Sequence, residues 1–176
     1  MLKVAICVIT CKRQEELKRL LIALGNLKFK KTDRPNIDIF VVDNDASGSS
    51  HKIIKECESI LNKRINYSIE PRRGIPFARN ASIKSVGSDS EFIAIIDDDE
   101  YPDPYWLDEL LSTQKLYNAD IVSGPVIPEY NQDCPEWIID GKFFERERFK
   151  TGHRLKYVAT NNVLMRKDVV GKVGEF

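Results

Sequence analysis

The sequence predicts an α/β domain, a mainly parallel, Rossmann-like sheet with helices on its flanks. Two observations carry that prediction. Short apolar runs rich in β-branched residues alternate with amphipathic stretches of helical length through the first two-thirds of the chain, the pattern of a parallel sheet with right-handed crossovers. Polar groups stand at the carboxyl ends of those runs, namely Thr10, Asp43, Arg72-Arg73 and Asp97 to Glu100. Open α/β sheets bind their ligands there.

Lys3 to Thr10 reads as the first strand. A helix follows from about Gln14, with Leu17, Leu20, Leu21 and Leu24 on one face, and ends near Gly25-Asn26. Ile37 to Val42 is the second strand. The turn from Asp43 to Ser50 combines Asx, Ser and Gly turn formers and ends in helix-capping residues. The next helix is expected to carry Ile53, Ile54, Cys57, Ile60 and Leu61 inward. Ile65 to Glu70 is the third strand. The loop Pro71-Arg72-Arg73-Gly74-Ile75-Pro76 then feeds a helix from about Phe77 to Val86, stopped by Gly87.

Phe92 to Asp97 is the fourth strand, and its unbroken apolar run argues burial on both faces. Pro104 to Tyr117 reads as a helix burying Leu107, Leu110, Leu111 and Tyr117. Ile121 to Val126 is a further strand. An irregular stretch follows, with Trp137, Ile138, Phe143, Phe144 and Phe149 among charges. Tyr157 to Thr160 and Asn162 to Met165 form one more strand or a broken pair. No repeat or linker interrupts the chain, and 176 residues suit one domain, 1–176.

Lys+Arg and Asp+Glu both total 27, so no global field favours nucleic acid, and any phosphate recognition must be local. The start of the chain enters a strand pattern without a signal peptide's charged leader or cleavage site. A cytoplasmic location is expected, and peripheral association with the inner face of the cell membrane is compatible with it. The four cysteines form no C-x-x-C pair and lie far from His51 and His153, so free thiols are expected rather than zinc.

Asp97-Asp98-Asp99-Glu100 is the most informative stretch. Consecutive carboxylates raise one another's pKa, and a divalent cation with a taste for carboxylate oxygen removes that cost. Strand geometry would point Asp97 and Asp99 to one side and Asp98 to the other, a D-x-D metal site. The alternative is a solvated acidic loop whose next acid, Asp103 before Pro104, caps a helix. Around Gly74 and Pro76, the helix start would offer free N–H groups and a positive dipole end to an anion. Arg72, Arg73 and Arg79 would add charge there, or would pair with surface acids. Asp43 could accept from a nucleobase or a ribose, or cap its own turn. A receiver-like Mg²⁺-binding domain would want acids after the first strand, and Thr10-Cys11-Lys12-Arg13 argues against one.

Four segments in order carry a resemblance: Val-Ile-Thr at 8–10, Val-Val-Asp-Asn-Asp-Ala-Ser-Gly at 41–48, Gly-Ile-Pro-Phe-Ala-Arg-Asn-Ala at 74–81, and Ile-Ile-Asp-Asp-Asp-Glu at 95–100 followed by Pro-Asp-Pro-Tyr-Trp-Leu. Together they resemble the inverting glycosyltransferases of family 2, of the kind that assembles bacterial exopolysaccharide and lipopolysaccharide. The resemblance implies an A-type glycosyltransferase fold, a nucleotide-sugar donor (usually a UDP-sugar), Mn²⁺ or Mg²⁺, and a glycan or lipid-linked acceptor.

It also implies a nucleotide-binding set of Thr10, Asp43, Arg73, Arg79, Asn80 and Asp97, with Asp97 and Asp99 as metal ligands. Residues 1–120 would form the nucleotide half and 121–176 an incomplete acceptor side, in which Thr160-Asn161-Asn162 borders the sugar. The family's general base is expected beyond Phe176, after a turn like Val173-Gly174-Glu175-Phe176. The chain is therefore expected to be C-terminally short. A nucleotide-sugar-binding fragment or pseudoenzyme is the competing expectation.

Overall fold

The computed structural model describes residues 1–176. Its strands are β1 (Lys3–Thr10), β2 (Asn36–Asp43), β3 (Asn66–Ile69), β4 (Phe92–Ile96), β5 (Ile121–Ser123) and β6 (Asn162–Arg166). They form one sheet in the order β3-β2-β1-β4-β6-β5. The first four run parallel. β6 lies antiparallel between β4 and β5, so the sheet is mixed. The helices are α1 (Gln14–Gly25), α2 (His51–Leu61), α3 (Ile75–Lys84), α4 (Trp106–Tyr117), α5 (Glu136–Asp140) and α6 (Lys167–Val173).

Strand periodicity divides the core into two layers. Val4, Ile6 and Val8 of β1, Ile39 and Val41 of β2, and Phe92, Ala94 and Ile96 of β4 face one side. There they pack with Leu17, Leu20 and Leu21 of α1, Ile54 and Cys57 of α2, and Leu107, Leu110 and Leu111 of α4. Ala5, Cys7, Phe40, Ile93 and Ile95 face the other side and meet Ile83 and Val86 at the end of α3, with Val163 and Met165 of β6. Strands covered on both faces must be apolar throughout, as β4 is.

Several sequence expectations need correction. Ile60 and Tyr117 are half exposed rather than buried, because each lies on the outer side of the last turn of its helix. β5 stops at Ser123, where the Gly124 N–H turns to the Asn162 carbonyl. Residues 157–160 form no strand. Asp103 accepts the Tyr105 N–H at 2.8 Å just ahead of α4, whose first residue is Trp106, and so shapes the approach instead of capping the helix. All four cysteines are free thiols, as expected, and burial pushes Cys7 up to about 12.

Candidate functional site

The site forms where β1, β2, β3 and β4 end on the same side of the sheet. β4 ends at Ile96, and the next two residues continue its alternation. Asp97 falls on the α3 side, where Arg79 Nη2 donates to its Oδ1 at 2.9 Å. Asp98 falls on the α1 side and is buried, accepting from Thr10 Oγ1 at 2.8 Å and Arg13 Nη1 at 3.2 Å. Then the chain turns, with the Glu100 N–H on the Asp97 carbonyl. Period two no longer applies, and Asp99 does not join Asp97. It pairs instead with Arg13, Nη1 to Oδ2 at 2.6 Å.

Glu100 folds back over this turn. Its Oε2 accepts the Asp97 N–H and its Oε1 accepts from Asn161 Nδ2 at 2.8 Å. Burial pushes its carboxyl up to about 7, and the charges of Asp97 and Asp99 push the same way against those hydrogen bonds. Burial likewise raises Asp98, with Thr10 and Arg13 opposing.

Arg79 is the buried centre of the arrangement, 4% exposed. Besides holding Asp97, it donates from Nη1 to the Thr160 carbonyl at 2.6 Å, and its Nε has no partner. It thus ties α3 to the run before β6 and lies behind the surface rather than on it. Trp106 Nε1 secures the far side, donating to Asn162 Oδ1 at 2.8 Å while Asn162 Nδ2 reaches the Pro125 carbonyl.

The second half of the site comes from the loops after β2 and β3. Asp43 is fully buried, and both oxygens serve its own turn. Oδ1 accepts the Asp45 N–H at 3.0 Å, and Oδ2 accepts the Ser50 N–H at 2.8 Å and the Tyr67 hydroxyl at 2.9 Å. Asn44 staples the two loops: Nδ2 donates to the Glu70 and Arg72 carbonyls, and Oδ1 accepts the Gly74 N–H, each at 2.8 Å. Gly74 opens α3 with φ at 141°, a region that side chains resist. Arg72 pairs with Glu70 through two 2.8 Å bonds, and its guanidinium holds that carboxyl down to about 2. Arg73 is exposed and pairs with no acid. Asn80 is engaged elsewhere, exchanging two 3.0 Å bonds with the backbone of Phe176. Arg13 and Asn44 join this network without having been expected as site residues, and Glu100 and Asn161, named in the sequence only as parts of longer runs, join it as partners. Arg13 stands just after one recognisable motif and Glu100 ends another, whereas nothing in the sequence marks Asn44 as a staple.

A family model described as glycosyl transferase family 2 matches residues 5–174. The chain belongs to that family. Among its relatives, the succinoglycan biosynthesis protein ExoM of Rhizobium meliloti (strain 1021) is 29% identical over 162 residues, covering 92% of this chain and 51% of that protein. TarS 1-349 of S. aureus, solved in complex with UDP-GlcNAc, superposes with a TM-score of 0.66 at 18% identity, over 97% of this chain and 47% of its own. The mannosyltransferase PcManGT of Pyrobaculum calidifontis, solved with GDP-Man and Mn²⁺, gives a TM-score of 0.70 at 14% identity, over 98% and 47%. At these identities the two structures establish a shared A-type glycosyltransferase fold. The chain spans about half the length of the relatives it matches.

PcManGT holds Mn²⁺, and a divalent cation makes particular demands on the side chains around it. No three His, Cys, Asp or Glu side chains converge into a cage for a metal ion. Phosphate sites do not need one, because Mg²⁺ takes one or two carboxylates and completes its shell with water and substrate phosphates. Asp97 and Asp99 each give one oxygen to an arginine and leave the other, Asp97 Oδ2 and Asp99 Oδ1, without a hydrogen bond. Each carboxylate so keeps one oxygen of the kind that Mg²⁺ or Mn²⁺ accepts beside water and phosphate.

Proposed function

We propose that the chain forms the donor-binding part of a metal-dependent glycosyltransferase. The reaction moves a sugar from a nucleotide-sugar, a UDP-sugar in the first instance, to a glycan or lipid-linked acceptor in cell-surface polysaccharide biosynthesis. One observation carries this reading. Asp97 and Asp99, each with a free oxygen, stand on the same sheet edge as the stapled loops after β2 and β3. The names and ligands of ExoM, TarS and PcManGT support it.

In this reading the Asp43–Ser50 loop faces the base, with Asp43 holding the loop's shape from the interior. Arg73 and the start of α3 face the diphosphate. Thr10 fixes Asp98, which anchors the turn, while Asp97 meets the ribose and the cation, and Asp99 meets the cation. Arg79 positions Asp97 from behind, and Asn80 stands one residue further along α3. When bound, Mn²⁺ or Mg²⁺ would stabilise the negative charge that develops on the departing nucleoside diphosphate. An inverting transfer also needs a base for the acceptor hydroxyl. Glu175 is paired with Lys84 at 2.6 Å, and the proposal gives it no role.

The same reading puts the protein in the cytoplasm at the inner face of the membrane. Exposed Trp137, Phe143, Phe144, Phe149 and Tyr157 lie among Lys142, Arg146, Arg148 and Lys150, a composition suited to an anionic interface. No helix is long and apolar enough to cross a membrane.

Calorimetric titration of UDP, with and without Mn²⁺, tests the function. Saturable binding that strengthens by about ten-fold or more with Mn²⁺, some 1.4 kcal/mol, is expected. Affinity indifferent to the metal would overturn it.

A further inference from the structure

Two arginines divide the acidic run between them. Arg79 takes Asp97 from a buried position, and Arg13 takes Asp98 and Asp99 from the start of α1. They differ in freedom. Arg79 is 4% exposed and also carries the Thr160 carbonyl, so it cannot leave Asp97 without stranding a charge in the interior. Arg13 and Asp99 have side chains 51% and 52% exposed, and an ion pair in that setting is weak. If Arg13 departs, Asp98 keeps the Thr10 hydroxyl at 2.8 Å. Asp98 then gives up only its longer contact, the 3.2 Å bond from Arg13 to Oδ1.

We propose that Arg13 is a charge-exchange residue: it neutralises Asp99 in the free protein and passes to the donor's diphosphate when a divalent cation takes Asp99. The inference rests on the donor-binding reading given above. A guanidinium beside Asp99 competes with a cation for the same carboxylate, and the two positive charges repel once both are near. The diphosphate arrives with the cation and offers the oxygen pairs that a planar guanidinium fork matches best. Arg13 stands just after β1, at the sheet edge where that diphosphate would lie. The residue therefore weakens binding of the cation alone and strengthens binding of cation and diphosphate together.

The exchange predicts opposite signs in one variant. In Arg13→Gln, Mn²⁺ alone, followed by electron paramagnetic resonance, should bind up to about five-fold tighter, as loss of an exposed competing pair allows. UDP titrated at saturating Mn²⁺ should bind about ten-fold weaker, as loss of a charge-assisted contact predicts. Uridine, which has no phosphates, should show no change between wild type and variant. Arg13→Lys should recover part of the UDP affinity, and it keeps the test decisive should the Gln variant fold poorly.

Affinities that move together, or a change in only one of them, would overturn the exchange and leave Arg13 a surface ion pair. Wild-type protein and Asp99→Asn are titrated alongside with UDP and with GDP. If wild type shows no Mn²⁺-dependent binding of either, the donor-binding reading fails and the exchange fails with it. If wild type binds and only the Arg13 signs are wrong, the exchange alone fails.

Discussion

Arg79 holds Asp97 at 2.9 Å from a position almost closed to solvent, and the other end of its guanidinium holds the Thr160 carbonyl. One side chain on α3 thereby sets the place of the acidic turn relative to the segment that enters β6. Truncation to Ala leaves Asp97 unpaired and a carbonyl without its donor. Because Asp97 is one-third exposed, the cost should be about 3 kcal/mol, the low end for a broken buried pair. Urea denaturation measures it. Arg79→Lys keeps the charge but cannot span both acceptors, so it should recover less than half of that loss.

Asn44 reaches across from the loop after β2 to the Glu70 and Arg72 carbonyls and the Gly74 N–H. Asn44→Ala removes all three bonds from a part-buried place. We expect about 2 kcal/mol of destabilisation, less than three separate bonds would sum to because water reaches the freed groups. The sharper readout is local: the Gly74 amide should exchange with solvent much faster while amides of β1 stay protected. Unchanged protection at Gly74 would show that the loops hold together without the staple.

Asp108 on α4 is buried and gathers the Lys30, Lys31 and Thr32 N–H groups with the Thr32 hydroxyl, at 2.8–2.9 Å. Burial alone would raise its pKa, but these donors outweigh burial and lower it. A carboxylate depressed in the folded state contributes fully above its unfolded value near 3.9, and that contribution is lost as pH falls through the lower folded value. Asp108→Asn should cost about 3 kcal/mol at neutral pH. Its stability should also fall less steeply than wild type's below about pH 4. Urea midpoints across that range give the comparison, and parallel curves would remove Asp108 from the acid limb.

The sequence reveals most where residues obey a period. Ile93 and Ile95 face one layer and Ala94 and Ile96 the other, so β4 is readable as a doubly covered strand and the opposition of Asp97 to Asp98 follows from it. Legibility stops at the turn, because Asp99 lies where backbone direction, not alternation, decides its partner. The placement of β6 between β4 and β5 is also hidden. Val163, Leu164 and Met165 read as a buried strand in either orientation, and only the path of residues 124–161 makes it antiparallel. Asn44 and Arg13 give no periodic signal, since their partners lie about 26 to 86 residues away. Ile60 and Tyr117 mislead for a simpler reason: apolar residues at helix ends satisfy the pattern without being covered.

Neighbouring aspartates should separate structure from binding. Asp98 is 5% exposed and joins Thr10 to Arg13, whereas the Asp99 side chain is 52% exposed and touches only Arg13. Asp98→Ala removes an anchor from the interior and strands the Thr10 hydroxyl, so it should lower stability by about 2 kcal/mol. Asp99→Ala breaks an exposed pair and should change stability by less than about 1 kcal/mol. Binding should reverse the order. Asp99→Ala should abolish the Mn²⁺-dependent gain in UDP affinity in a protein that melts like wild type. Asp98→Ala, studied well below its melting point, should retain part of that gain, because both free carboxylate oxygens remain on Asp97 and Asp99. Mn²⁺-dependent affinity that survives in Asp99→Ala would move the cation away from this turn.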